Sequence, residues 1–145
     1  PTIGEVRMTG IIDHLKIDDK TKEIEIYDFK TGKASSKGWN SDVKMLWYRM
    51  QLGFYKLMLN NSRSFRNYKI RRGHILFVVP DANGKVYDAV YEFNQKDEEE
   101  LIELATKVYQ MIRDLSFIGR PDIFVESDNT AGMKRVREFL GKVVE

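Results

Sequence analysis

The sequence has no cysteine among its 145 residues, which excludes disulfides, a thiolate-held iron–sulfur cluster and a cysteine-based zinc site. It has no apolar run near the roughly 20 residues a membrane-spanning helix needs. No basic start followed by an apolar stretch marks a secretory signal. These absences fit a cytoplasmic protein with no membrane partner. There is no internal repeat, low-complexity tract or linker. Charge of either sign is nearly balanced: 24 Lys and Arg against 22 Asp and Glu leave a formal net charge of +2, so bulk charge names no polyanionic partner. What remains is an ordinary globular balance, 42% hydrophobic and 32% charged, of a size for one domain with one core.

Residues 5–17 and 23–30 have the alternation of strands, and the polar turn at Asp18–Thr21 joins them as an antiparallel hairpin. Residues 31–40, rich in Gly, Ser and Lys, predict a loop. Asn40 or Ser41 can cap a helix reaching about Asn60, with Val43, Leu46, Met50, Phe54 and Leu57 as its core stripe. After a polar, basic connection come a strand over 73–79, an Asn83-Gly84 turn and a partner strand over 86–93. A helix over about 95–117 starts with acidic residues, as the helix dipole favours, and a last helix covers about 129–143. The order β-β-α-β-β-α-α predicts an α/β domain, a mixed β-sheet flanked by helices.

Side chains two apart on a strand share a face. One face of the first strand carries Ile11, Asp13, Leu15 and Ile17; one face of the second carries Ile24, Ile26, Asp28 and Lys30. Matching the apolar residues sets Ile17 against Ile24, Leu15 against Ile26, and therefore Asp13 against Asp28. Two carboxylates so paired have Cβ atoms roughly 4.5–5.5 Å apart, which is destabilising unless compensated. A hard cation shared between them compensates, and Lys30 adds a positive group on the same face. An Asp28–Lys30 ion pair at a strand end, with Asp13 solvated, is the plainer alternative. His14 follows Asp13 and points to the other face. His74, at the start of its strand and without an evident partner, is by default a core or surface histidine.

Gly10-Ile11-Ile12-Asp13, then Asp28-Phe29-Lys30-Thr31-Gly32, then Gln51-Leu52-Gly53-Phe54-Tyr55, occur in that order on strand, strand and helix. This succession resembles the PD-(D/E)XK nuclease superfamily, in particular its RecB-like branch, over residues 10–55. The resemblance implies a restriction-endonuclease-like fold and a metal-dependent DNA nuclease, exonuclease-like, of a repair, recombination or phage system. It implies that Asp13, Asp28 and the backbone carbonyl of Phe29 ligate Mg²⁺ or Mn²⁺. Lys30 would stabilise charge on the phosphate, and Gln51 and Tyr55 would line the site. The i, i+4 spacing places Gln51 and Tyr55 on one helical flank, beside the core stripe, with Lys44 and Tyr48 extending the row.

RecB-like nucleases usually carry a further His or acidic ligand on a helix before the first strand. Glu5 is eight residues from Asp13, roughly 26 Å along a strand, too far to serve. The single domain is therefore expected to be a fragment lacking an N-terminal helix. For DNA contact, the basic run supplies Arg63, Arg66, Lys69, Arg71 and Arg72, with Phe65 and Tyr68 between them, and the loop supplies Lys33 and Lys37. A solvated loop with two aromatics tucked into the core is the alternative there. A helicase or recombination protein, in the same or another chain, is the expected protein partner. The rival readings are a non-catalytic DNA-binding or scaffolding domain that kept the nuclease fold, and a protein-interaction domain.

Overall fold

The computed structural model describes residues 2–32, 34, 39, 43–116 and 118. Lys33, Lys37, the Asn40 and Ser41 caps and the expected helix at 129–143 lie outside the described residues. A small hairpin, β1 (Thr2–Ile3) with β2 (Val6–Arg7), turns at Gly4, whose φ of +55° suits glycine. The main sheet holds β3 (His14–Asp18), β4 (Glu23–Lys30), β5 (Lys69–Phe77) and β6 (Tyr87–Glu92) in that spatial order. Pairing is antiparallel, parallel, antiparallel, so the sheet is mixed, as the pattern of elements implies. Helix α1 (Val43–Asn60) is the crossover between the parallel strands, and α2 (Gln95–Asp114) follows β6.

The β3–β4 register is the one that the apolar residues dictate: Leu15 faces Ile26 and Ile17 faces Ile24. The first strand, in contrast, does not run over 5–17. It is split into β2 and β3, with 8–13 outside the ladder. The segment between them runs against α1: a Cβ at Gly10 would come within 2.9 Å of the end of the Met58 side chain. The strand expected at 73–79 begins instead at Lys69. Arg71 is an extra residue between the Ile24–Ile70 and Glu25–Arg72 pairs. This bulge changes the parity, so that Ile70 and Ile75 both reach the core despite their odd spacing.

One sheet face holds the core. Ile24, Ile26, Ile75 and Phe77 are fully buried beneath Met45, Leu52, Tyr55 and Leu59 of α1. Each such aliphatic or aromatic side chain contributes roughly 1.5–3 kcal/mol. Two members of the expected helix stripe, Leu46 and Leu57, are buried, whereas Met50 and Phe54 are half-exposed. The residues facing the sheet are the row Met45, Leu52, Tyr55 and Leu59. Helix α2 covers a further flank of α1, with Leu101 over Gly53 and ion pairs Lys56–Glu98 and Arg49–Asp97. Its N-cap is Asn94, whose side chain accepts the Asp97 N–H, and Leu115 closes it in the left-handed conformation.

Candidate active site

β4 carries the centre of the site. Alternation turns Ile24, Ile26, Asp28 and Lys30 toward α1, and the first two anchor the strand while the last two meet polar partners. Asp28 is only 2% exposed. Its Oδ1 accepts a hydrogen bond from Gln51 Nε2 at 3.0 Å and a longer one from the Tyr55 hydroxyl at 3.4 Å. Lys30 Nζ lies 2.6 Å from Asp28 Oδ2 and donates to Gln51 Oε1 at 3.0 Å. The lysine approach to Oδ2 is an ion pair without good hydrogen-bond alignment, so that oxygen is buried with no aligned donor. Gln51 also donates to Tyr55 OH at 2.7 Å. One turn of α1 thus braces both charged residues on the α1-facing side of β4, Asp28 and Lys30.

Asp13 joins from the end of β3. It is exposed, and its Oδ2 accepts the backbone N–H of Phe29 at 2.8 Å, fixing it beside the residue that follows Asp28. Burial pushes the Tyr55 phenol above its ordinary pKa; the negative charges of Asp28 and Asp13 both push the same way, against the Gln51 hydrogen bond. Both carboxylates therefore act on one hydroxyl. Tyr55 corrects the sequence expectation in one respect: at 8% exposure it belongs to the core row rather than lying beside it. Tyr48 sets its ring 4.9 Å from Lys30 Nζ, and Lys44 reaches over the Tyr48 and Phe77 rings at 5.8 Å each.

The basic run does not converge here. The Lys69 N–H donates to the carbonyl of Lys22, at the start of β4, so the run sits at the end of that strand remote from Asp28. Arg71 pairs with Glu23 and Arg72 with Glu25, acidic partners brought in by the parallel pairing. Arg63, Arg66 and Lys69 are exposed, while Phe65 and Tyr68 pack against the core.

The opposite sheet face has its own polar network. Glu25 accepts from Arg72, Lys16 and Tyr27. Burial alone would raise its carboxyl pKa, but the Arg72 and Lys16 bonds and charges outweigh burial and bring it down to about 2. His74 is not at a strand start and does not lack a partner. It is buried in mid-β5, stacked on Tyr27 at 4.2 Å, with Nδ1 2.9 Å from Asp88. His14 meets the edge of the same Tyr27 ring.

A family model for the PD-(D/E)XK nuclease superfamily matches residues 2–124. The chain belongs to the PD-(D/E)XK nuclease superfamily. No curated protein and no solved structure gives a match. The match extends well past the motif region, through β6 and α2, and so takes in the whole described sheet. Members of this superfamily are generally nucleases, usually with Mg²⁺ or Mn²⁺. The donor set suits a hard cation: a buried carboxylate oxygen lacking an aligned donor on Asp28, the second carboxylate of Asp13, and the carbonyl of Phe29, the residue after Asp28 whose N–H holds Asp13. Among the described residues no group of three or more His, Cys, Asp or Glu could hold a metal, so most positions around an ion would fall to water and substrate.

Proposed function

We propose that this chain is a divalent-cation-dependent deoxyribonuclease that hydrolyses phosphodiester bonds, with Asp13, Asp28, Lys30, Gln51 and Tyr55 as its active site. The observation that carries the reading is the buried Asp28 carboxylate, held between Lys30 and the Gln51–Tyr55 brace, with Asp13 tied to the N–H of the next residue, Phe29. Asp13, Asp28 and the Phe29 carbonyl would hold Mg²⁺ or Mn²⁺. A cation there supplies Lewis-acid polarisation of the phosphodiester.

The chain's own residues do the rest. Lys30 is 21% exposed, so its ammonium can reach a phosphate oxygen and offset the charge that builds there in the transition state. Gln51 holds Lys30 through its carbonyl and Asp28 through its amide, keeping the cationic and anionic groups at fixed separation. Tyr55, kept protonated by its surroundings, donates to Asp28. Lys44 and Tyr48 line the approach on the Lys30 side. The Asp28-x-Lys30-Thr31-Gly32 and Gln51-x-x-x-Tyr55 spacings support an exonuclease-like, RecB-like role in DNA repair, recombination or a phage system.

A second reading has one observation in its favour. The Lys30–Asp28 pair already neutralises the buried charge, which a non-catalytic DNA-binding domain of the same fold would also need. Incubating single- and double-stranded DNA with the chain in Mg²⁺ or Mn²⁺ separates the two. We expect cleavage that Lys30→Ala reduces by at least about a hundred-fold. DNA binding with no Lys30-dependent cleavage would establish the second reading instead.

A further inference from the structure

Beside the candidate active site runs an open groove of about 560 Å³. Its helical wall is a stripe on α1: Trp47, Gln51, Phe54 and Met58, at i, i+4, i+7 and i+11. The opposite wall is the segment Arg7–Gly10 that leaves the sheet after β2. Gln51 and Tyr55 line the groove and also hydrogen-bond to Asp28, so the groove adjoins the Asp28–Lys30 cluster through these two side chains. The stripe is apolar apart from Gln51, and its outermost residue, Trp47, is 59% exposed. An indole left open to water beside a catalytic cluster is a surface awaiting a flat apolar partner.

We infer that this groove receives an unpaired nucleobase of the DNA strand being cut, stacked on Trp47, while the neighbouring phosphate lies at Lys30. The inference rests on the phosphodiesterase reading and deepens it, because it names single-stranded DNA, or a frayed end, as the preferred substrate. The chemistry fits on three counts. Aromatic side chains stack on any base, since every base has a π-face. Arg7 on the facing wall offers a cation to the backbone of the same strand. Trp47 and Gln51 are one helical turn apart, about 6 Å of rise, which sets the stacking surface next to the reacting group rather than remote from it. A base inside an intact duplex is already stacked and cannot enter, so the groove distinguishes single strands from duplex.

Binding of fluorescein-labelled 20-nucleotide single strands and blunt duplexes is measured in the Lys30→Ala background, with Trp47→Ala and Trp47→Phe added, at one fixed salt concentration. Trp47→Ala is expected to weaken single-strand binding roughly ten-fold or more, Trp47→Phe to retain most of it, and duplex binding to stay within about two-fold. Thermal melting checks that the folded state is kept, as an exposed side chain allows. Equal weakening on both DNAs, or no change on single strands, overturns the inference. So does a change of oligomeric state in Trp47→Ala without a change in DNA binding, because it would assign the groove to a second copy of the chain. Cleavage by the Lys30 parent is scored separately. Its absence would defeat the catalytic reading while the binding comparison still decides the groove.

Discussion

Asp13 and Asp28 stand in different environments, one exposed at a strand end and the other buried under α1. Asp13 is held through a backbone N–H, so its charge and its structural role separate by substitution. Asp13→Asn keeps an oxygen that can accept the Phe29 N–H but removes the charge. It is expected to lose cleavage by about a hundred-fold with a melting temperature near that of the parent. Asp13→Ala loses the bond as well, at a cost of about 0.5–1.5 kcal/mol, and should melt measurably lower. Cleavage assays beside calorimetry on the two variants check this; equal melting of Asn and Ala would show that the bond contributes nothing. The β3–β4 register was legible because Leu15, Ile17, Ile24 and Ile26 leave one sensible alignment, although the ladder stops at His14 and Tyr27, one residue short of Asp13 and Asp28. That Phe29 would tie Asp13 down through its N–H was not legible, since every non-proline backbone offers the same group. Tyr55 as a core residue was missed for a related reason. Helical spacing assigns a face, but only the neighbouring elements decide how much of that face is covered.

Among the elements, β4 and β5 depend on close approach to α1. Gly73 lies where Leu52, fully buried, presses on the sheet; a Cβ there would meet Leu52 Cδ1 at 2.8 Å, Cδ2 at 2.9 Å and Cγ at 3.1 Å. Alanine lowers the entropy cost of ordering a glycine by roughly 0.5–1 kcal/mol, but the clash opposes it with about 1–3 kcal/mol. Gly73→Ala is therefore expected to destabilise by about 1–2 kcal/mol in urea unfolding, and a more stable variant would show that α1 is free to shift. Helices α1 and α2 and strand β4 were readable from periodicity within two or three residues. β5 was not. Its first residues, Lys69 to Arg72, resemble a solvated connection, because the acids that neutralise them sit in Glu23 and Glu25, some 47 or 48 positions away along the chain. Long-range compensation of this kind leaves no local trace. The basic run was accordingly assigned to DNA, whereas two of its arginines serve the sheet.

At the scale of the whole molecule, the two sheet faces divide the work. One buries the apolar core and the candidate active site; the other is joined by the ion pairs of Glu25 and the Tyr27–His74 stack. Glu25 gives that second face a definite acid sensitivity. Its folded pKa, about 2, lies below the ordinary value of 4.5, so its contribution is fully present above about pH 4.5 and is lost as pH falls toward 2. Urea midpoints at pH 7 and pH 3 should therefore differ more in the parent than in Glu25→Gln, which keeps the shape but cannot titrate. An identical acid loss in both would place the sensitivity elsewhere.

The β3–β4 hairpin brings its own consequence for how the molecule comes together. Both aspartates lie within sixteen consecutive residues, joined by a tight turn, whereas Gln51 and Tyr55 come from the crossover helix that must first reach back over the sheet. Local closures form before distant ones. A nascent chain therefore places its two aspartates on one hairpin early and encloses only Asp28 late, so that carboxylate is tolerated in water first and committed to the interior when the helix docks, while Asp13 stays open to solvent.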